Sequence, residues 1–244
     1  MQSFLRRTVP LTVLRQVALA VNKLKISTID KVLFSEATIK GTDFLFYRKQ
    51  PAFPELPRIV ANIEDKNVSQ GFRKFIGLGE EQYVLKYRDG CYIEPARGWA
   101  IAGKRQLVSY SLANSAAQHL KKPSIKSLNG SGLNKLFFKK AISLRDTSER
   151  AYFHFYNDVL AKLPFLISHG INISDMPLII AASSFKKPFF QELLKRSLFV
   201  SSLNWVVQDD QEIYCDEIIF CRPPALDKKV YDWVINQFNF QLEN

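Results

Sequence analysis

The spacing of apolar positions changes partway along the chain. From Ile26 to about Leu112 they fall in short aromatic and β-branched runs, "KVLFSEATI", "TDFLFYRK", "YVLKYRDGCYIEP" and "WAIAGKRQLVSYSL", with turn residues between them. Runs of that length and composition predict strands. Within them Asp89-Gly90 of "RDGC" predicts a tight hairpin turn, because the pair tolerates positive φ. Residues 113–135, "ANSAAQHLKKPSIKSLNGSGLNK", are polar, small and basic and predict a loop or linker.

After Leu136 the period switches between two and about four. "KLFFKKAISL" reads as a strand, and "YFHFYNDVLAKLPFLISHG" as an amphipathic helix closed by Gly170. "MPLIIAAS" reads as a short buried strand, and "KPFFQELLKRSLF" as one helix with Pro188 in its first turn. "LNWVVQ" and "DEIIFCRP" are further strands before a closing helix, "LDKKVYDWVINQFNF". Alternation of this kind predicts a parallel layer. The expectation is an α/β protein: a β-rich portion at 25–112, a basic linker at 113–135 and a Rossmann-like layer at 136–244.

The first 24 residues add an element of a different kind. "MQSFLRRTVPLTVLRQVALAVNKL" places Leu11, Leu14, Val17, Leu19 and Val21 roughly on one face. Arg15 inside the apolar stretch, and the lack of a small-residue cleavage site, argue against a secretory signal. The segment reads as a basic amphipathic helix, docked on the domain or lying on an anionic membrane surface. No run approaches the roughly 18 apolar residues of a spanning helix.

Composition narrows the partners without choosing one. The chain has 244 residues, 47% hydrophobic and 13% aromatic, and 34 Lys+Arg against 23 Asp+Glu give a net charge of +11. A folded core is expected, and the basic balance favours anionic partners: nucleic acid, an acidic membrane or phosphorylated small molecules. Nucleic acid is the weaker choice, since the basic residues fall in isolated pairs such as Lys121-Lys122 and Lys139-Lys140. No aromatic RNA-binding pattern, zinc finger or helix-turn-helix phrase accompanies them. The cysteines at 91, 215 and 221 fit no zinc spacing and read as buried strand thiols.

The segment 150–166, "RAYFHFYNDVLAKLPFL", carries the candidate chemistry. Val159, Leu163, Leu166 and Ile167, widened by Phe155 and Leu160, predict a buried face. His154 and Asp158 stand four apart, one above the other on the helix, and Lys162 continues that polar row. A carboxylate beside an imidazole fixes the ring and stabilises its protonated form. The plain alternative is a solvated polar cluster at a helix start.

"AISLRDTSERAYFHFYNDVLAKLPFL" resembles the motif helix of the family 61 glycosyltransferases, the capsular-polysaccharide group. The shared phrase here is His154, Phe155, Asp158, Leu160, Lys162 and Leu163. "YVLKYRDGCYIEP" and the strands after it, and "KPFFQELLKRSLF…DEIIFCRPP", are similar to the family's surroundings, so the likeness spans about residues 25 to 225. The resemblance implies one half of a GT-B architecture and transfer of a sugar from a nucleotide-sugar to a hydroxyl. It implies His154 and Asp158 as catalytic residues, and Asn157, Lys162 and Arg150 as substrate contacts. No cofactor or metal is expected, and a nucleotide-sugar, a glycan or lipid-linked acceptor and an anionic membrane are the expected partners. The place of action would be the cytoplasmic side of surface-polysaccharide assembly.

Two departures qualify that expectation. Lys162 stands where the family often has arginine, which removes the bidentate fork. The family's donor-binding half, with its His-Gly-Ala-type signature, does not appear before Asn244, and "SHGIN" at 168–172 reads as a helix end instead. The chain is thus expected to hold the acceptor-side half. The donor site would come from a missing segment or a partner, or the chain would be a non-catalytic glycan-assembly factor.

Other phrases carry less. "GSGLNK" has Lys135 where a dinucleotide-binding motif needs its third glycine. Asp209 and Asp210 are adjacent and read as a solvated turn, not a metal-holding Asp-x-Asp. The serines of "AASSF" lack the glycines of a nucleophile elbow.

Overall fold

The computed structural model describes residues 35–36, 42–51, 79–102, 106–108, 110–111, 135–146, 149–224 and 228–238. The expected N-terminal helix and the loop at 113–134 lie outside these residues. Among the described residues ten strands form one mixed sheet. They are β1 (Ser35–Glu36), β2 (Thr42–Pro51), β3 (Gly79–Tyr87), β4 (Cys91–Ile93), β5 (Ala100–Ala102), β6 (Gln106–Leu107), β7 (Lys135–Ser143), β8 (Leu178–Ala181), β9 (Trp205–Gln208) and β10 (Glu212–Arg222). The order is β1-β6-β5-β4-β10-β7-β8-β9, with β3 also on β10 and β2 on β3.

β10 is the hinge of this architecture. One of its edges takes β7 in parallel, and β8 and β9 follow in parallel beyond it. The other edge takes β4 and then β3, both antiparallel. The α/β expectation holds in this general form, as a mixed sheet with helices.

Asp89-Gly90 does not make the expected hairpin. β3 and β4 continue in one direction along β10: Tyr87 pairs with Ile218 and Cys91 with Cys215, so residues 88–90 face only 216–217. That extra residue is a β-bulge. Gly90 supplies the positive φ, 71°, its N–H donates to the Asp216 carbonyl at 3.1 Å, and a Cβ there would run into the Tyr214 hydroxyl. A hairpin and a bulge ask for the same left-handed glycine.

The bulge coincides with a change of phase along β10. Ile213 and Cys215 share a buried cluster with Ile218 and Phe220, whereas Ile219 and Cys221 belong to the other cluster. A strand of strict period two would keep the odd residues together. The sheet also curls strongly. β9 and β10 run the same way yet are joined only by residues 209–211, too short to cross back over a flat sheet. Gln208 at the end of β9 donates to the Ile93 carbonyl on β4 at 2.8 Å, four strands away in the order, or about 19 Å if the sheet were flat. The curl encloses one cluster, including Leu85, Ile93, Ala100, Ile179 and Phe220.

Helices bury the second cluster. They are α1 (Tyr152–His154), a π-helical stretch Phe155–Leu160, α2 (Lys162–Ser168), α3 (Ala182–Phe185), α4 (Pro188–Arg196), α5 (Leu198–Ser202) and α6 (Lys228–Gln237). Phe155, Val159, Leu163 and Leu166 are fully buried against Ile142, Leu144 and Phe190, each contributing about 2 kcal/mol of apolar burial. Gly170 ends α2 as expected. It has φ 74°, its N–H donates to the Ile167 carbonyl, and the Ile171 N–H reaches back to Leu166. The expected single helix over "KPFFQELLKRSLF" is two, because Ser197 leaves helical geometry and its hydroxyl accepts from the Val200 N–H at 3.1 Å.

Candidate functional site

The helical run 152–168 starts just past the C-terminal end of β7. Its middle is not regular α-helix: the Ala161 N–H donates to the Tyr156 carbonyl, five residues back, at 3.1 Å. One wide turn of this kind adds a residue and rotates the remainder of the helix by about 100° relative to an α-helix.

At the start of that stretch the expected pair forms. His154 Nδ1 lies 2.7 Å from Asp158 Oδ2, with side chains 43% and 18% exposed. The contact needs a proton on Nδ1, which leaves Nε2 as the basic nitrogen. Asn157 holds the carboxylate from the other side, its Nδ2 donating to Asp158 Oδ1 at 2.8 Å. Tyr231 on α6 donates to Asn157 Oδ1 at 3.4 Å. Burial, and then the nearby Asp158 charge, raise the Tyr231 phenol above its ordinary pKa. The imidazole is thus oriented by a chain of contacts reaching back to the last helix described.

Beyond the wide turn the expected polar row breaks. Lys162 does not continue it into solvent but is buried, its Nζ donating to the carbonyls of Leu144 at 3.2 Å and Arg145 at 2.9 Å. Asp146 Oδ2 lies 3.7 Å from the same nitrogen. Ile167, expected in the core, is exposed for the same reason of phase. Arg150 is exposed in the turn ahead of α1. His154, Asn157 and Asp158 therefore come together, while Arg150 and Lys162 lie apart from one another in environment, one in solvent and one in the core.

A second charged cluster, not expected from the sequence, sits at the same end of the sheet. Arg145 Nε donates to Glu149 Oε1 at 3.0 Å, its Nη2 to the Pro95 carbonyl at 3.0 Å, and its Nη1 to Gln208 Oε1. Glu149 also accepts from the Asp146 N–H at 3.2 Å, and Ser184 donates to the Glu149 carbonyl at 3.1 Å. Arg145 and Glu149 are 1% and 3% exposed. Burial pushes the Glu149 carboxyl above the usual range, and Arg145 pulls it partly back. The sequence signal was an i,i+4 pair of opposite charges directly after an apolar strand, in "LRDTSE".

The remaining candidates sit as expected. Asp209 and Asp210 are exposed in the short turn after β9. His169 ends α2, with Nδ1 2.8 Å from the Phe165 carbonyl and its ring against Phe46. All three cysteines are buried. Among the described residues no group of three or more His, Cys, Asp or Glu is placed to hold a metal, and no helix is long and apolar enough to cross a membrane. No family model, no curated protein and no solved structure matches the chain.

Proposed function

We propose that this chain transfers a sugar from a nucleotide-sugar to a hydroxyl acceptor in surface-polysaccharide assembly, with His154 as base and Asp158 as its orienting partner. The observation that carries the reading is the 2.7 Å contact between a half-exposed imidazole and a carboxylate at the C-terminal end of parallel strands. Open α/β sheets take their ligands in that region. The resemblance of the 150–166 segment to the family 61 motif helix supports a sugar as the transferred group. In this reading the parallel strands and their helices are a Rossmann-like unit of a GT-B architecture that presents His154 to the acceptor hydroxyl. The net charge of +11 suits a diphosphate donor, a lipid-linked acceptor and an anionic leaflet.

The chemistry needs one proton moved. As the acceptor oxygen attacks the anomeric carbon, Nε2 of His154 takes its proton and the nucleotide leaves with the bonding pair. Asp158 accepts from Nδ1–H throughout and stabilises the imidazolium. Asn157 and Tyr231 hold Asp158 in place.

The test is turnover by the purified chain with UDP-, GDP- and CMP-linked sugars and simple glycoside acceptors, read as nucleotide release. His154→Ala should lower the rate by about 10²–10⁴-fold and Asp158→Asn by less, both with unchanged circular dichroism. A wild-type chain that releases no nucleotide from any donor, or a His154→Ala variant as fast as wild type, refutes the reading.

A further inference from the structure

We propose that Cys91 and Cys215 are a latent dithiol site that closes into a cross-strand disulfide on exchange with a small-molecule disulfide, stapling β4 to β10. This inference is independent of sugar transfer. The two residues are direct partners in the antiparallel register of those strands. On the other edge of β4 the Glu94 N–H donates to the Trp99 carbonyl at 2.9 Å, so residues 94 and 92 turn their backbone groups to β5 and residues 93 and 91 turn theirs to β10. Cys91 and Cys215 are therefore a hydrogen-bonded pair, with Cα atoms about 5.5 Å apart and side chains on one face. A disulfide takes Cα separations of about 4.4–6.8 Å. Both thiols lie in the same buried cluster, inside the curl of the sheet.

The third cysteine does not compete. Cys221 faces Val84 across β10 and belongs to the cluster under the helices. Burial raises all three thiols, Cys215 and Cys221 to about 12, and the neighbouring Cys215 raises Cys91 further. Thiolate is scarce in the closed sheet, so exchange runs through opening of the short strand β4 beside the bulge. One cysteine, as thiolate, attacks the small disulfide and displaces one thiol. The second attacks the resulting mixed disulfide and displaces the other. The two cysteines give up two protons and two electrons, and the oxidant becomes two thiols.

The experiment treats the full chain with oxidised glutathione, with and without mild urea, then counts thiols and maps peptides. Reactive thiols after full unfolding should fall from three to one, with Cys91 linked to Cys215 and Cys221 unmodified. Urea below the unfolding transition should speed the loss. A Cys221→Ser chain should give the same link, and the oxidised protein should melt at a higher temperature, returned to the starting value by reductant. Glutathione adducts without an internal link, a link through Cys221, an unchanged thiol count in mild urea, or a melting temperature not raised by oxidation each overturn the proposal.

Discussion

Two pairs of residues four apart stand at the same end of the sheet and differ in almost everything but spacing. The side chains of His154 and Asp158 are 43% and 18% exposed; those of Arg145 and Glu149 are almost wholly buried. The first pair is held by Asn157 of its own helix, which in turn accepts from Tyr231 of α6. The second reaches β9 and the turn after β4, and so fastens the curl of the sheet. Burial decides the difference. A charge in water is available to a substrate and adds little to stability, whereas a buried one is held by every partner it has and costs several kcal/mol when one is lost.

The comparison breaks most readily at Arg145. Arg145→Met leaves the Glu149 carboxylate in the interior without its cation, and should cost about 3–5 kcal/mol in urea unfolding. His154→Ala, by contrast, should stay within about 1 kcal/mol of wild type. Equal losses at both positions would erase the distinction between a working pair and a fastening one. A smaller effect is expected at Gly98, which sits at φ 80° with any added Cβ running into the Arg145 side chain. Gly98→Ala should cost about 1–3 kcal/mol by thermal melting, from left-handed strain and displacement of the guanidinium. A silent substitution there would mean that the cluster is loosely packed.

The smallest expected effect is on pH dependence. Burial holds the folded Glu149 carboxyl above its reference value of 4.5, against the pull of Arg145. The folded state therefore keeps a proton that the unfolded chain has already released. That contribution to stability is complete below about 4.5 and is lost as pH rises through the raised value. Subtracting the urea stability of Glu149→Gln from that of wild type, point by point in pH, should give a difference that falls across this window. A difference that rises with pH would put ion pairing with Arg145 ahead of burial.

Much of the secondary structure was legible because it rests on local periodicity. β7, β8, β9 and α6 fall within the expected runs, β2 runs two residues past its own, and Gly170 ends its helix where the sequence places it. The errors share a cause outside the local segment. Asp89-Gly90 supplies the same backbone for a hairpin or a bulge, and the choice depends on β10 far along the chain. Lys162 belongs to the polar row only if the helix keeps 3.6 residues per turn throughout, which the wide turn at Tyr156–Ala161 prevents. Arg145 and Glu149 are close in sequence, yet Pro95 and Gln208, which give them their role, lie 50 and 63 residues from Arg145. The His154–Asp158 contact was readable because its two partners stand only four residues apart.

β10 has a consequence for biosynthesis. It is the last of the described strands to be made, and it is the one on which β3, β4 and β7 all depend. A ribosome releases those three strands with their hydrogen-bonding edges open, and the residues that close them emerge only near Arg222. Until then the nascent chain is a set of adhesive margins awaiting a common seam, so the sheet must assemble late and depend on protection from self-association while it waits.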